Sequence, residues 1–303
     1  MSAASYANPD VLQFYRVMPF NFMASAHAQA AAVAEHNVVR QQYGPLEPLL
    51  TPGVRVLDVG CGTGWFAQTL AYHYKAVVTG IDFNPVAIAR AQEAAAMARL
   101  TATFVAGDLF EYSPPQRFAV VTSLGVLHHT NNCLAGVRRC AETFLAPGGT
   151  FFLGLYHAFG RKPFLDAFAA RKQAGASDEA LFNDYARLSP NNEVEPTFLR
   201  SWFRDQVLHP HETQHTLSEI VPVLEECGLT IQATSINGFT TITSLDALYR
   251  DEQQCLHAGR EALARGEFYP GFFIVMARKG VADITSSRID SSDDPGITAK
   301  SSF

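Results

Sequence analysis

The run Val54-Arg55-Val56-Leu57-Asp58-Val59-Gly60-Cys61-Gly62-Thr63-Gly64-Trp65 decides the fold. Apolar residues lead up to Asp58 and Val59, the pattern of a strand buried in a parallel sheet. Three alternating glycines follow, and a helical pattern resumes at Trp65-Phe66-Ala67-Gln68-Thr69-Leu70. A strand that ends in glycines and feeds a helix builds a turn whose backbone N–H groups can approach a ligand closely. The spacing is not that of a dinucleotide fingerprint, G-x-G-x-x-G with an acid about 20 residues on. Counted from Gly60, the third glycine of that pattern falls on Trp65. Asp58, two residues before the first glycine, instead suits a ligand with an ammonium group.

Strand and helix signals continue in alternation. Residues 76–82 form a second apolar strand ending in Asp82, and Asn84-Pro85 opens a helix over 86–99 with Pro in its first turn. A third strand at 103–106 runs into Gly107-Asp108-Leu109. A fourth, from Phe118, opens through Leu124-Gly125 into Leu127-His128-His129. A helix over 133–145 breaks at Ala146-Pro147-Gly148-Gly149, and a strongly apolar fifth strand fills 150–156.

This order of motifs resembles the class I S-adenosylmethionine (SAM)-dependent methyltransferases, in their small-molecule branch, and the likeness covers roughly residues 50–157. The resemblance implies a doubly wound α/β fold with a seven-stranded, mostly parallel, Rossmann-like sheet. It implies SAM as cofactor and S-adenosylhomocysteine as product. Asp58, Gly60, Cys61, Gly62 and Gly64 would surround the methionine end. Asp82, followed by Phe83, would take the ribose hydroxyls, as a carboxylate accepts from a vicinal diol. Asp108 and Leu109 would meet the adenine, and Leu124 and Gly125 would contribute backbone.

The flanking segments should set the acceptor. Helices at 11–15 and 24–39 bring the aromatic cluster Phe14, Tyr15, Phe20 and Phe22, a pocket wall or plain helix packing. About 70 residues separate the fifth strand from the next clear one at 230–236, too many for a simple crossover, and they read as a lid. Within it, His211-Glu212-Thr213-Gln214-His215 matches the H-E-x-x-H string of zinc peptidases. That chemistry needs both histidines on one helix face, and here Thr216-Leu217-Ser218-Glu219 is a capping box that starts the helix later. Whether His209, His211, Glu212 and His215 hold a metal is left open by the sequence, and no metal is assigned. Arg204, Asp205, His209, His211 and Glu212 read as a polar cluster that orients or deprotonates substrate. His128, His129, His209 and His211 are the candidate catalytic residues, since histidine titrates near neutrality. Tyr15, Phe20, Tyr156, Arg204 and Glu212 are the candidate substrate contacts. A further helix at 244–265 precedes a last strand at 272–277.

The resulting division is a helical cap at 1–50, a SAM-binding core at 51–157, a lid at 158–215, the rest of the core at 216–279 and a disordered tail at 280–303. The chain has 303 residues, 48% hydrophobic and 17% charged, with formal charge −6, enough for a sizeable core and opposed to a nucleic-acid partner. Five widely spaced cysteines without a C-x-x-C pair fit a reduced, cytoplasmic protein. No apolar run reaches the ~20 residues of a membrane span. The reading is therefore methyl transfer to a small organic acceptor. A non-catalytic SAM-binding protein and a methyltransferase of protein or tRNA stand as alternatives. The oligomeric state is left open, a homodimer included.

Overall fold

The computed structural model describes residues 8–189 and 195–281. Among the described residues, three α-helices, α1 (Pro9–Val17), α2 (Ala26–Glu35) and α3 (Val38–Gln42), and a 3-10 turn at Gly44–Leu49 precede the first strand. The alanine-rich helix expected over 24–39 is thus two helices. It begins at Ser25, whose hydroxyl accepts from Ala28 N–H, and is interrupted at Asn37, whose side chain caps α3 through Arg40 N–H. Alanine favours helix without fixing its ends, so the capping side chains decide where it breaks.

The core then alternates as its apolar pattern dictates: β1 (Arg55–Val59), α4 (Trp65–Tyr74), β2 (Val77–Asp82), α5 (Pro85–Met97), β3 (Ala102–Ala106), β4 (Phe118–Leu124), α6 (Cys133–Arg139) and β5 (Leu145–Tyr156). α6 continues through 140–144 as a wider π turn. β5 starts five residues earlier than the sequence suggests. Leu145 already pairs with Phe118, and Pro147-Gly148-Gly149 is absorbed as a register shift before Thr150 pairs with Val120. The insertion follows as α7 (Ala158–Gln173), α8 (Asp178–Leu188) and α9 (Pro196–Val207), after which α10 (Leu217–Glu226), β6 (Leu229–Thr234), α11 (Leu245–Ala264) and β7 (Phe272–Lys279) complete the chain.

The seven strands lie in the order β3-β2-β1-β4-β5-β7-β6, parallel except for β7, which runs antiparallel to both neighbours. Successive side chains of a strand face opposite ways, so each central strand feeds two cores. Leu57, Val59, Val121, Phe151, Leu153 and Val275 pack with α6 and α10 on one face. Val56, Val78, Val120, Phe152 and Ile274 pack with α4 and α5 on the other. The insertion has an apolar cluster of its own, with Phe164, Phe168, Leu181, Tyr185, Leu199, Phe203 and Val207 buried.

The segment 211–215 is not helical. It threads between strand ends, with Thr213 N–H on His128 C=O (2.8 Å) and His215 N–H on Tyr156 C=O (2.9 Å). α10 begins only at Leu217, where Thr216 accepts from Glu219 N–H, so the two histidines of the H-E-x-x-H string share no helix face. Among the described residues no helix is long and apolar enough to cross a membrane. The tail from residue 282 and the segment 190–194 lie outside the described residues.

Candidate active site

The site lies where the parallel strands end, the usual position for ligands in an open α/β sheet. Asp58 lies one residue before the end of β1, Asp82 closes β2, Asp108 follows β3, Leu124 closes β4 and Tyr156 closes β5. They line one cavity of about 820 Å³, together with Gly60, Cys61, Gly62, Phe83, Leu109, Gly125 and His129. Tyr15 and Phe20 reach it from the N-terminal segment, and Tyr185, Trp202, Asp205 and Gln206 from the insertion.

The glycine turn is held from below. Gly60 and Cys61 donate to Ile81 C=O (2.7 and 3.0 Å). Gly60 has φ +70°, and a Cβ there would collide with the Val126 side chain. Gly62 has φ +52°, and a Cβ there would meet nothing within 4 Å, so that side of its backbone faces open space. Gly64 departs from expectation. It caps α4 and packs against Phe104, Ala91 and Gln68 rather than lining the cavity.

The carboxylates fit SAM by their unused capacity. Asp58 is buried; its Oδ1 accepts from Thr122 Oγ1 (2.8 Å), while Oδ2 is buried with no partner. Burial pushes its carboxyl up to about 7. An unsatisfied buried carboxylate oxygen is matched by a ligand ammonium. Asp82 accepts one backbone N–H on each oxygen, from Gly62 and Asn84 (both 2.8 Å), which leaves each oxygen a lone pair for a hydroxyl. Burial raises it to about 6. Asp108 holds the turn after β3 through Phe110 N–H (2.9 Å). The Cys61 thiol is raised far above its ordinary value by burial, which makes it an inert wall.

On the opposite side sits Asp205, 5% exposed. Tyr15 OH donates to its Oδ1; Tyr156 OH (3.1 Å) and Gln206 Nε2 (2.8 Å) donate to its Oδ2. His129 Nε2 stands 3.9 Å from Oδ1. Two neighbouring guanidiniums face elsewhere. Arg161, fully buried, forks onto Glu212 (3.1 and 2.9 Å), donates to Gln206 Oε1 and C=O, and lies 4.0 Å over the Tyr156 ring. Arg204 lies over the Phe14 ring and donates to Phe14 C=O (3.3 Å). Neither Arg204 nor Glu212 lines the cavity, so neither is the substrate contact the sequence suggested. Arg204 is turned onto Phe14 of α1, and Glu212 onto Arg161 of α7.

The histidines are wired to one another. Tyr156 N–H donates to His128 Nδ1 (3.2 Å), so a neutral His128 carries its proton on Nε2 and gives it to His129 Nε2 (3.2 Å). His129 then carries its own proton on Nδ1 and donates to His211 C=O (3.0 Å). Burial lowers both rings below their ordinary value. His211 N–H donates to His209 Nδ1 (3.2 Å), and His211 Nε2 bonds Thr130 C=O (3.1 Å). His209 stacks on His129 at 3.7 Å and is pushed down to about 3, chiefly by burial. Of the four candidate histidines only His129 lines the cavity. His128, His209 and His211 brace it from behind.

Ligand atoms of His129, Asp205 and His209 lie within 4.8 Å of one another, a spacing a metal ion could use. The hydrogen bonds decide otherwise for the rings as they stand. His128 fills the lone pair of His129, and the His211 amide fills that of His209. A metal ligand must offer a lone pair, and neither ring has one to give.

Arg161 and Gln206 were not legible as site residues. No local pattern marks Arg161, whose partners are 45 and 51 residues away. Gln206 did leave a signal, since it continues the buried helical face of Leu199 and Phe203.

Comparison with known proteins agrees with this geometry. The profile of the methyltransferase-domain family matches residues 56–149. The chain belongs to the class I SAM-dependent methyltransferases. It is 31% identical over 185 residues to the ubiquinone biosynthesis O-methyltransferase of Xanthomonas campestris pv. campestris, covering 60% of this chain and 74% of that one. It is 34% identical over 118 residues to the enzyme of that name from Coxiella burnetii, 38% and 49% of the two chains. The fold matches magnesium protoporphyrin IX methyltransferase from Synechocystis PCC 6803, solved with bound S-adenosylhomocysteine (TM-score 0.50, 18% identity, 89% and 93% of the two chains). The cofactor is SAM.

Proposed function

We propose that this enzyme methylates a hydroxyl oxygen of a small, largely apolar acceptor, held at Asp205 under the lid formed by α7–α9. One observation carries this reading: the Asp205 cluster and the glycine-turn carboxylates line the same cavity. SAM supplies the activated methyl on its sulfonium. Asp58, Gly60, Gly62, Asp82, Asp108 and Leu109 hold it, with Cys61, Phe83, Leu124 and Gly125 as wall.

The chain's own task is to hold the acceptor oxygen and receive its proton. An ionised carboxylate offers about four lone-pair sites. Tyr15, Tyr156 and Gln206 occupy three on Asp205, and one is left for an acceptor O–H. His129, with its lone pair engaged by His128, is wall and polar neighbour rather than base. Phe20, Trp202 and Phe272 give the acceptor an apolar bed. An acceptor hydroxyl must reach a side chain only 5% exposed, which favours a slim small molecule over a nucleic acid or a folded protein. The O-methyltransferase relatives support oxygen as the acceptor atom.

The test is methyl transfer from labelled SAM to a panel of hydroxylated aromatic compounds, by wild type and Asp205→Asn. Loss of about 10²–10⁴ in kcat with SAM affinity unchanged is expected, the range for a positioned acid–base group. Equal turnover by the two proteins refutes the assignment of Asp205.

A further inference from the structure

Charge restricts what can enter beside the cofactor. Four carboxylates line the cavity, Asp58, Asp82, Asp108 and Asp205, and among its described lining residues there is no Lys or Arg. The cofactor half is partly neutralised when filled, because SAM brings an ammonium and a sulfonium against its own one carboxylate, a net positive charge toward Asp58, Asp82 and Asp108. The acceptor half is not. Asp205 is met by two phenols, an amide and a histidine that burial holds neutral. The nearest cations cannot serve an anionic guest. Arg161 is spent on Glu212 and Gln206 behind the Tyr156 ring, and Arg204 is turned onto Phe14. His129 presents no N–H on the ring nitrogen nearest Asp205, since His128 donates into it.

We propose that Asp205 also acts as a charge gate, so that the acceptor is uncharged over the part that enters the cavity and acceptors carrying a carboxylate or phosphate there are rejected. This rests on the reading of the cavity as a methyl-acceptor site and adds to it the class of acceptor. An anion would lose its water on entry and gain only repulsion from an ionised carboxylate in a low-dielectric wall. The aromatic residues Phe20, Trp202 and Phe272 reward an apolar ring and offer an anion nothing.

Calorimetric titration of the full chain saturated with S-adenosylhomocysteine tests this with three compounds on one ring system: 2-naphthol, 6-hydroxy-2-naphthoate and its methyl ester. The ester and the naphthol bind, and the free acid binds at least roughly 30-fold more weakly than the ester, about 2 kcal/mol. Asp205→Asn keeps the shape and removes the charge; acid and ester lose the same hydroxyl contact, so the acid's disadvantage relative to the ester shrinks to below about fivefold. Equal binding of acid and ester to the wild type overturns the gate, and the wild-type ratio decides alone if the variant does not fold. An undiminished ratio in a folded variant also overturns it. Binding of S-adenosylhomocysteine with none of the three rings overturns it as well, whereas failure to bind S-adenosylhomocysteine refutes the site reading instead.

Discussion

The buried carboxyl of Asp58 makes SAM affinity a function of pH. In the unfolded chain this group titrates near 3.8, and in the folded protein near 7 because burial disfavours its charge. At 1.36 kcal/mol per pH unit the difference is a cost of about 4 kcal/mol for carrying the charge. The folded state holds the proton more tightly than the unfolded one. This stability is therefore fully present below about pH 4 and is lost as pH rises through 7. Asp82, raised to about 6, acts in the same direction over a lower window. A ligand ammonium placed on the unpartnered Oδ2 requires the ionised form. With a carboxyl at about 7, the ionised fraction rises from about 1% at pH 5 to about 90% at pH 8. Ionisation of Asp58 alone should accordingly raise SAM affinity roughly 90-fold over that interval, while the ligand-free protein loses stability. Calorimetric titration with SAM at pH 5, 6, 7 and 8 measures the first, and urea unfolding without ligand the second. Asp58→Asn should bind weakly with a much flatter profile, Asp82 supplying what slope remains. An affinity constant to within about threefold across the range, unchanged by the substitution, refutes the reasoning.

Three further outcomes follow from the geometry. Arg161→Met strands Glu212 and two acceptors of Gln206, and should cost about 3 kcal/mol or more in urea unfolding, the lower end for breaking a largely buried pair because Glu212 retains some solvent. Gly60→Ala must place a Cβ on Val126 at a positive φ, a strain of at least 1–2 kcal/mol, so SAM affinity should fall by about tenfold or more, and Val126→Ala in the same protein should recover part of it. Thr216→Ala removes the cap of α10 and should lower unfolding stability by about 1 kcal/mol without changing SAM affinity.

What the sequence shows and what it hides divide along a physical line. The sheet is legible because period-two burial is local: Val56 and Leu57 go to opposite cores whatever the rest of the chain does. The cofactor carboxylates are legible because each lies at or just beyond the end of a strand, so the topology that orders the strands also gathers Asp58, Asp82 and Asp108. Caps are legible where a side chain commits them, as at Thr216, and are lost in the alanine-rich stretch, where Asn37 alone marks the break. The acceptor half was harder to read. Asp205 could be placed in a polar cluster, but its partners Tyr15 and Tyr156 lie 190 and 49 residues away, and no spacing rule reaches that far.

The histidines show why residue type is a poor guide to role once groups are buried together. His128, His129, His209 and His211 all suit acid–base work by their ordinary titration. Position alone would make His129 the base, since it lines the cavity beside Asp205. One backbone amide changes that. Tyr156 N–H on His128 Nδ1 fixes the proton on Nε2, and that proton fills the lone pair of His129. The His211 amide on His209 does the same on the other side. These bonds join the loop after β4, the end of β5 and the segment that leads out of α9. The rings therefore tie the insertion to the sheet, and they leave the capacity to accept a proton with the carboxylate they surround. The cavity so built has a negative group at each end, one facing a cationic cofactor and one facing an acceptor that must arrive neutral.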